Sequence, residues 1–392
     1  MLKAYLGLPR ETYLTALGHM ALEFSHQFLP VVYPALILAL GLTYAQVGVI
    51  ALTASLASTV LQPLFGHLSD RWKPRLIIPI SVAWIGVLMG LVGFMPSYTA
   101  IVIVVALGSL GSAAFHPAGA SITSLIGRAR RGAAMSVFSV SGNLGSTLSP
   151  LIVGLGMVWV GLAGPVVIIP ITVLAAVYIS INFRNGAAKD ASAAPINNTN
   201  NQSSNGSKIA LALIITAAAS RSWYLGSLNT YLPEWLQSQG FTPEAAGASL
   251  SLMLFASSIG ALIGGSLSDR TGRLPILLIS MAGLGPAVWL LMQLSGPLQL
   301  AAVALAGFLI GATFPVTIVM AQEAWPRGTG LASALAIGLG WLPSGVGAWV
   351  VGLLADASTL TDGLSTLVYV PLVGLLAGLI LWSRRKLLLQ TD

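Results

Sequence analysis

The chain contains no cysteine, and charged residues make up only 7% of its 392 positions. Without cysteine there can be no disulfide and no thiolate metal site. The sequence also lacks a Gly-x-x-x-x-Gly-Lys-Ser/Thr loop and any soluble domain that would carry one, which excludes ATP-driven work by this chain alone. These absences leave few positions at which polar chemistry can occur.

Apolar residues dominate what is present. They account for 56% of the chain, and runs of about 20 recur, each long enough to cross a hydrocarbon core. The runs show no period-two alternation, which argues against a barrel of strands. The sequence predicts an all-α integral membrane protein with twelve transmembrane helices. The predicted spans are 11–39, 44–66, 75–95, 98–126, 132–158, 162–183, 209–235, 243–265, 274–294, 298–322, 328–354 and 364–383.

The basic residues are confined to alternate gaps between these spans. Of the 18 Lys and Arg residues, 17 fall before span 1, after span 12, or at the gaps after spans 2, 4, 6, 8 and 10, counting Arg75 at the first residue of span 3. Because short basic loops stay in the cytoplasm, we expect both termini to be cytoplasmic. This topology explains the formal net charge of +7 without a nucleic-acid partner. No cleavable signal peptide is expected ahead of span 1.

A polar stretch and a repeat divide the chain into two halves. Residues 185–208 are rich in Asn and Ser, which predicts a flexible cytoplasmic linker between six-helix halves at 1–184 and 209–392. The segment Gly-His-Leu-Ser-Asp-Arg at 66–71 matches Gly-Ser-Leu-Ser-Asp-Arg at 265–270, an offset of 199 positions that also aligns Phe115 with Phe314. The two halves are therefore expected to be pseudo-symmetric.

Two six-helix halves with this loop sequence resemble the major facilitator superfamily of secondary transporters. The resemblance implies the major facilitator fold and alternating access around a central cavity. It also implies that two Asp-Arg pairs, Asp70 with Arg71 and Asp269 with Arg270, act as gating latches. The expected partners are a small-molecule substrate, protons and the lipid bilayer, and the expected state is a monomer.

A narrower resemblance covers most of the chain. The segments 44–79, 114–117, 142–146 and 321–323 resemble bacterial fosmidomycin resistance proteins. That family implies a multi-pass exporter of the bacterial inner membrane that exchanges drug for protons and confers antibiotic resistance. Its first span carries a histidine followed four residues later by an acid, here His19 and Glu23. The family often has an acid after the His-Pro pair, where this chain has Ala118.

Two charged residues lie deep inside predicted spans, and they indicate a functional site without reference to any family. An ionisable group at bilayer depth costs several kcal/mol unless it is paired or hydrated. Glu23 and Arg221 each lie 13 residues beyond a flanking basic residue, Arg10 or Lys208, which is about 20 Å along a helix. They are expected at matching depths on spans 1 and 7, where they can pair across the cavity. A purely structural ion pair is the alternative interpretation.

Histidines accompany Glu23. His19, Glu23 and His26 are spaced i, i+4, i+7, which predicts one helical stripe. Because histidine titrates near pH 6.5, we interpret His19 and Glu23 as proton-coupling residues. We add His116, since the proline after it is tolerable in a membrane only where the helix is buried or lines water. A metal site on the stripe is disfavoured because the membrane spans hold no cysteine and no other clustered acids.

Arg221 carries a fixed positive charge with five donors, which suits a phosphonate, phosphate or carboxylate on a substrate. Other candidate substrate contacts are polar or aromatic residues within the spans. They are Glu23, His26, Asn143, Tyr224, Asn229, Phe314 and Trp341. Packing between helices is the alternative interpretation for His26 and for the aromatic residues.

Together these features predict a proton-coupled antiporter that exports small anionic or amphiphilic compounds, such as fosmidomycin-like drugs. An importer or uniporter of a small organic anion, without proton antiport, is the alternative, and a passive facilitator is a further one. An enzyme is disfavoured because the histidine stripe has no paired nucleophile or metal constellation. No cofactor is expected.

Overall fold

A computed structural model of the protein describes residues 7–62, 64–65, 74–127, 130–183, 207–325 and 329–384. These residues form helices and turns, with no strand among them. The α-helices are α1 (Arg10–Phe24), α2 (Leu29–Leu40), α3 (Tyr44–Val60), α4 (Pro74–Gly90), α5 (Tyr98–Gly127), α6 (Arg131–Val160), α7 (Ile168–Asn182), α8 (Lys208–Ser238), α9 (Pro243–Thr271), α10 (Arg273–Gln293), α11 (Gly296–Ala324), α12 (Thr329–Ala357), α13 (Leu360–Ser365) and α14 (Val370–Ser383). Short 3₁₀ segments span Val92–Phe94, Gly161–Val167 and Thr366–Val368.

The predicted spans correspond to these helices. Within the described part of the chain, nine helical stretches are long and apolar enough to cross a membrane. One of them, 131–182, contains both α6 and α7, and the shorter apolar helices Tyr44–Val60 and Leu342–Ala357 supply two further crossings. Together they account for the twelve predicted spans, and the observed ends lie within a few residues of most predicted ones.

The first predicted span is interrupted. Helix α1 ends at Phe24, residues 25–28 form a turn, and α2 begins at Leu29. Pro30 lies in the first turn of α2 and has no N–H to donate to the carbonyl of His26, four residues earlier. His26 therefore lies in the turn beyond the end of α1, whereas the i, i+4, i+7 spacing placed it on the same helix as His19 and Glu23.

The helices cluster into two compact units. The first contains the described residues of 1–42, 53–197 and 236–251, and the second those of 43–52, 198–235 and 252–392. Three of the boundaries between units fall inside helices, namely α3, α8 and α9. Of the predicted linker 185–208, only Ser207 and Lys208 lie within the described residues, and Lys208 begins α8.

In the first unit, α1 and α6 are in close contact through small residues. A Cβ atom on Gly145 would come within 2.1 Å of the backbone carbonyl oxygen of Met20 on α1. One turn further along α6, the Ser149 hydroxyl donates to the carbonyl of Phe24 at 2.5 Å. Small residues let transmembrane helices approach closely and gain packing that larger side chains would prevent. This contact sets the register between α1 and α6.

In the second unit, the start of α3 is held by α8 and α12. The Asp356 carboxylate accepts hydrogen bonds from the backbone N–H groups of Tyr44 and Ala45, at 2.8 and 2.9 Å. Helix N-termini leave such donors without partners inside the helix, so Asp356 acts as the cap of α3. The Tyr231 hydroxyl lies 2.7 Å from the Tyr44 carbonyl oxygen and 2.9 Å from that of Ala348.

We expect Gly145→Ala to destabilise the protein, because the added methyl group meets a backbone carbonyl that cannot rotate away. The expected loss is about 1–3 kcal/mol, typical of overpacking. Thermal unfolding of the purified protein in detergent measures it as a lower midpoint. Gly132→Ala on the same helix is the matched control, since no atom of another described segment lies within 4 Å of its added Cβ. Equal midpoints for the two variants would contradict the close α1–α6 contact.

Candidate functional site

Three helices of the first unit bring two histidines, a glutamate and a serine together. His19 and Glu23 lie one turn apart on α1, with His19 Nε2 3.8 Å from Glu23 Oε1. His116 reaches the same oxygen from α5, with Nε2 at 3.3 Å. The Ser146 hydroxyl, on α6, donates to Glu23 Oε2 at 3.1 Å. We call these four side chains the Glu23 cluster.

The His19 ring is fixed by the residues around it. Its Nδ1 lies 2.8 Å from the backbone carbonyl oxygen of Phe138. A carbonyl oxygen can only accept, so Nδ1 carries the hydrogen and, in the neutral ring, Nε2 keeps its lone pair. The ring also stacks on the Phe138 ring, with centroids 4.1 Å apart and planes 16° apart. The nitrogen that faces Glu23 is therefore an acceptor when His19 is neutral.

A glycine makes room for this ring. A Cβ on Gly142 would lie 2.4 Å from Cε1 of His19 and 2.6 Å from its Nδ1. Gly142 lies one helical turn before Ser146 and one turn after Phe138, so one face of α6 provides the gap, the carbonyl and the hydroxyl. The role of Gly142 and Phe138 was not predicted, because neither residue type indicates a histidine neighbour from sequence alone.

The Glu23 cluster is largely but not completely buried. Side-chain exposure is 12% for His19, 18% for Glu23 and 30% for His116. A carboxylate next to two imidazoles and a hydroxyl can take a proton from either ring, or return it, with little movement. The ligand atoms of His19, Glu23 and His116 also all lie within 4.8 Å of one another, a spacing that can hold a metal ion.

Arg221 is the buried cation of the second unit. It lies on α8 with only 3% of its surface exposed. Its Nη2 donates to the Ser222 hydroxyl at 3.0 Å, and its Cζ lies 5.2 Å from the centroid of the Phe314 ring on α11. Its Nε is buried and has no hydrogen-bond partner among the described residues. Within the described residues of the second unit, no carboxylate lies within 4.0 Å of the guanidinium.

Comparison with known proteins identifies the family to which these features belong. The chain matches the family model of the Major Facilitator Superfamily over residues 15–348 and again over 209–387. It is 31% identical over 380 residues to the uncharacterized MFS-type transporter YfnC of Bacillus subtilis, with 92% of this chain and 90% of that protein covered. The chain belongs to the Major Facilitator Superfamily. It is therefore a membrane transporter and not an enzyme.

Two further comparisons refine this membership. The chain is 28% identical over 380 residues to the Fosmidomycin resistance protein of Escherichia coli (strain K12), covering 95% of this chain and 92% of that protein. The predicted resemblance to that group is thereby confirmed. A crystal structure of a bacterial homolog to the human lysosomal transporter Spinster, inward-facing and occupied, matches at 16% identity with a TM-score of 0.77 over 97% of this chain and 98% of that one. This likeness confirms the predicted twelve-helix major facilitator fold.

The other residues predicted to contact substrate differ in burial and in hydrogen bonding. His26, in the turn between α1 and α2, has a buried Nε2 with no hydrogen-bond partner among the described residues. Asn143, on α6, is exposed, and Ser146 on the same helix makes the contact with Glu23 instead. Tyr224 is fully buried and donates to the carbonyl of Leu284 on α10, which is a helix-packing contact.

Three candidates remain in the second unit of the transporter. Asn229 is half-buried on α8, and its Oδ1 is buried without a hydrogen-bond partner among the described residues. Phe314 is half-buried and contacts the Arg221 guanidinium. Trp341 belongs to α12, and its side chain lies outside the described part of the structure.

The second predicted latch has an arginine partner other than the one expected. Arg273 Nη1 lies 3.0 Å from Asp269 Oδ1, and Arg273 Nε lies 2.7 Å from Glu323 Oε1. Arg270, which the family loop pattern pairs across the turn, is exposed. The interaction thus joins the end of α9 to α10 and α11 through the first residue of α10. The first latch, Asp70 with Arg71, lies outside the described residues.

We expect Gly142→Ala to displace the His19 ring, because the added methyl group overlaps it. In protein labelled with ¹⁵N-histidine, the wild type should show His19 with its hydrogen on Nδ1. The four histidines of the chain make the spectrum assignable by single substitutions. In Gly142→Ala this signal should shift or disappear as the bond to the Phe138 carbonyl is lost. An unchanged His19 signal would show that the ring is not held as described.

Proposed function

We propose that the protein is a proton-coupled antiporter that exports small anionic or amphiphilic compounds, including fosmidomycin-like drugs, by alternating access. The observation that carries the proposal is the Glu23 cluster, an acid held between two imidazoles within transmembrane helices. The relative named Fosmidomycin resistance protein supports the substrate class. The transporter acts as a monomer in the bacterial inner membrane, with both termini in the cytoplasm.

Glu23 is the proton carrier in this proposal. Ionisable residues inside membrane spans are costly unless they have partners or water, and they recur in proton pathways. Glu23 has His116, His19 and Ser146 as partners. Protonation removes its charge, while the Ser146 hydroxyl and the His116 ring remain next to either form. His19 and His116 therefore serve as proton donors and acceptors to one carboxylate.

Arg221 is the substrate anchor in this proposal. Its charge is permanent, and its Nε and Nη groups form a planar fork that suits the paired oxygens of a phosphonate or carboxylate. A buried guanidinium whose Nε has no partner is a costly arrangement unless an anion occupies it for part of the cycle. Asn229 and Phe314, with an unpaired oxygen and a ring face, offer further polar and apolar contacts.

Antiport requires that protonation of Glu23 and binding of the anion oppose each other. Such opposition is a coupling free energy between two sites, and it is reciprocal. If drug binding lowers the affinity of Glu23 for a proton, then a proton gradient drives drug in the opposite direction. The latch formed by Asp269, Arg273 and Glu323 controls access in this proposal, together with Asp70 and Arg71 in the first half.

We expect drug-induced proton movement in inside-out membrane vesicles. When respiration has acidified the lumen, addition of fosmidomycin should raise lumenal pH as protons leave in exchange. Glu23→Gln should abolish this proton signal, because the amide cannot carry a proton. Arg221→Ala should raise the drug concentration needed for half-maximal proton movement by about 10- to 100-fold, the loss in affinity expected for a charge-assisted bond. A lumenal fluorescent pH probe and labelled drug measure both fluxes.

Two variants serve as controls. Glu11→Gln removes another carboxylate of α1, in its first turn, and should leave both fluxes near wild type. Arg221→Lys keeps the charge without the fork and should retain part of the drug dependence. Drug crossing without proton movement in the wild type would contradict antiport. It would favour the alternative, an importer or uniporter of a small organic anion.

A further inference from the structure

The Glu23 cluster presents three metal-ligand atoms on one side. His19, Glu23 and His116 each supply one ligand atom, and the three atoms lie within 4.8 Å of one another. Both histidines face Glu23 Oε1 through Nε2. We propose that these three atoms bind a divalent transition-metal cation of the Zn²⁺ class, and that the bound ion blocks transport. The proposal does not depend on proton antiport, since the site would bind metal in any transporter with this geometry.

The distances between ligand atoms suit a tetrahedral ion. Zinc bonds to imidazole nitrogen and carboxylate oxygen are about 2.0–2.2 Å, so two ligand atoms of a tetrahedral site lie about 3.4 Å apart. His116 Nε2 and Glu23 Oε1 are 3.3 Å apart, and His19 Nε2 and the same oxygen are 3.8 Å apart. The first distance matches that separation and the second exceeds it by about 0.4 Å, while the ligand atoms of the two histidines lie within 4.8 Å of each other.

The outer contacts of two of the three ligands, His19 and Glu23, are those of a metal site. A ligating histidine nearly always donates its second ring N–H to a carbonyl or carboxylate, which aims the other nitrogen at the ion. His19 already does this, donating from Nδ1 to the Phe138 carbonyl at 2.8 Å. The second oxygen of Glu23 accepts from the Ser146 hydroxyl. The His19 ring needs no change of tautomer or orientation to bind metal through Nε2.

The ligand types decide which ion fits. Two imidazoles and one carboxylate form a common catalytic zinc set and leave a fourth position for water. Magnesium and calcium prefer six or more oxygen ligands, which this site does not offer. The sequence disfavoured a metal site because the membrane spans hold no cysteine and no other clustered acids. It placed His116 in the proton-coupling group, and the structure brings this histidine from α5 to Glu23, where it supplies a third ligand.

Binding would have a mechanical consequence within the first unit. An ion held by His19 and Glu23 on α1 and by His116 on α5 joins the two helices. It also occupies the carboxylate that the transporter would use in each cycle. Micromolar Zn²⁺ is therefore expected to inhibit transport from the side on which the cluster is accessible.

Equilibrium binding to the full-length protein tests the proposal directly. The protein is purified in detergent with a histidine-free affinity tag and titrated with Zn²⁺ alone, and with Co²⁺ as a spectroscopic substitute. We expect about one ion per chain and the intense visible bands of four-coordinate Co²⁺. Glu23→Gln and His116→Gln should each weaken binding by about 100-fold or more, and Ser146→Ala by about tenfold.

A control variant and a test of folding distinguish loss of the metal site from general damage to the protein. Glu11→Gln, which removes a carboxylate in the first turn of α1 away from the three ligands, should bind metal as the wild type does. Thermal unfolding without metal verifies that each variant is folded, and added Zn²⁺ should raise the midpoint of the wild type but not of Glu23→Gln. Absence of saturable binding to the wild type would overturn the proposal. Binding that survives both Glu23→Gln and His116→Gln would overturn it equally, by showing that the ion lies elsewhere.

Discussion

The Glu23 carboxylate must find partners inside a transmembrane bundle, and much of the first unit is arranged around that requirement. An isolated charge in such surroundings costs several kcal/mol. His116, His19 and Ser146 meet this cost from three different helices. Each partner needs its helix at one register, so a single carboxylate constrains how α1, α5 and α6 pack.

The packing that supplies this register is made by small residues. Gly145 brings the backbones of α1 and α6 together, and Gly142 leaves the space that the His19 ring fills. Larger residues at either position would move α6 outward and separate Ser146 from Glu23. Close helix packing and the polar site are therefore two aspects of one arrangement.

The two units carry different kinds of charge. The first holds a group that can gain and lose a proton, surrounded by partners that accept either state. The second holds Arg221, a permanent cation with its Nε unpaired among the described residues, beside Ser222 and Phe314. In the proposed exchange, the titratable acid carries the proton and the fixed cation binds the anion.

Sequence patterns were sufficient for the fold and for part of the site. Long apolar runs predicted nearly every helix end, because hydrophobic length is a local property. The spacing of His19 and Glu23 predicted their contact for the same reason, since helical neighbours follow from sequence separation. The sequence also contains the signal for the break before α2, because Pro30 has no N–H to donate to the carbonyl of His26.

The remaining contacts of the site depend on how the helices pack against one another, which the sequence patterns did not show. The pairing of His116 with Glu23 joins residues 93 positions apart, and no local pattern indicates which face of α5 turns toward α1. The same applies to Ser146, which contacts Glu23 while the more polar Asn143 does not. The loop motif predicted Arg270 as the latch residue, whereas the packing of α10 brings Arg273 to Asp269 and Glu323.

The central claim is that Glu23 exchanges a proton when substrate binds. The most direct test counts protons released into a weakly buffered detergent solution when fosmidomycin is added to purified protein, without membrane or gradient. The account predicts release of up to about one proton per drug bound to the wild type, with a maximum within the pH range over which Glu23 titrates, and none from Glu23→Gln. Equal release from wild type and Glu23→Gln, or saturable drug binding without release at any pH, would contradict it.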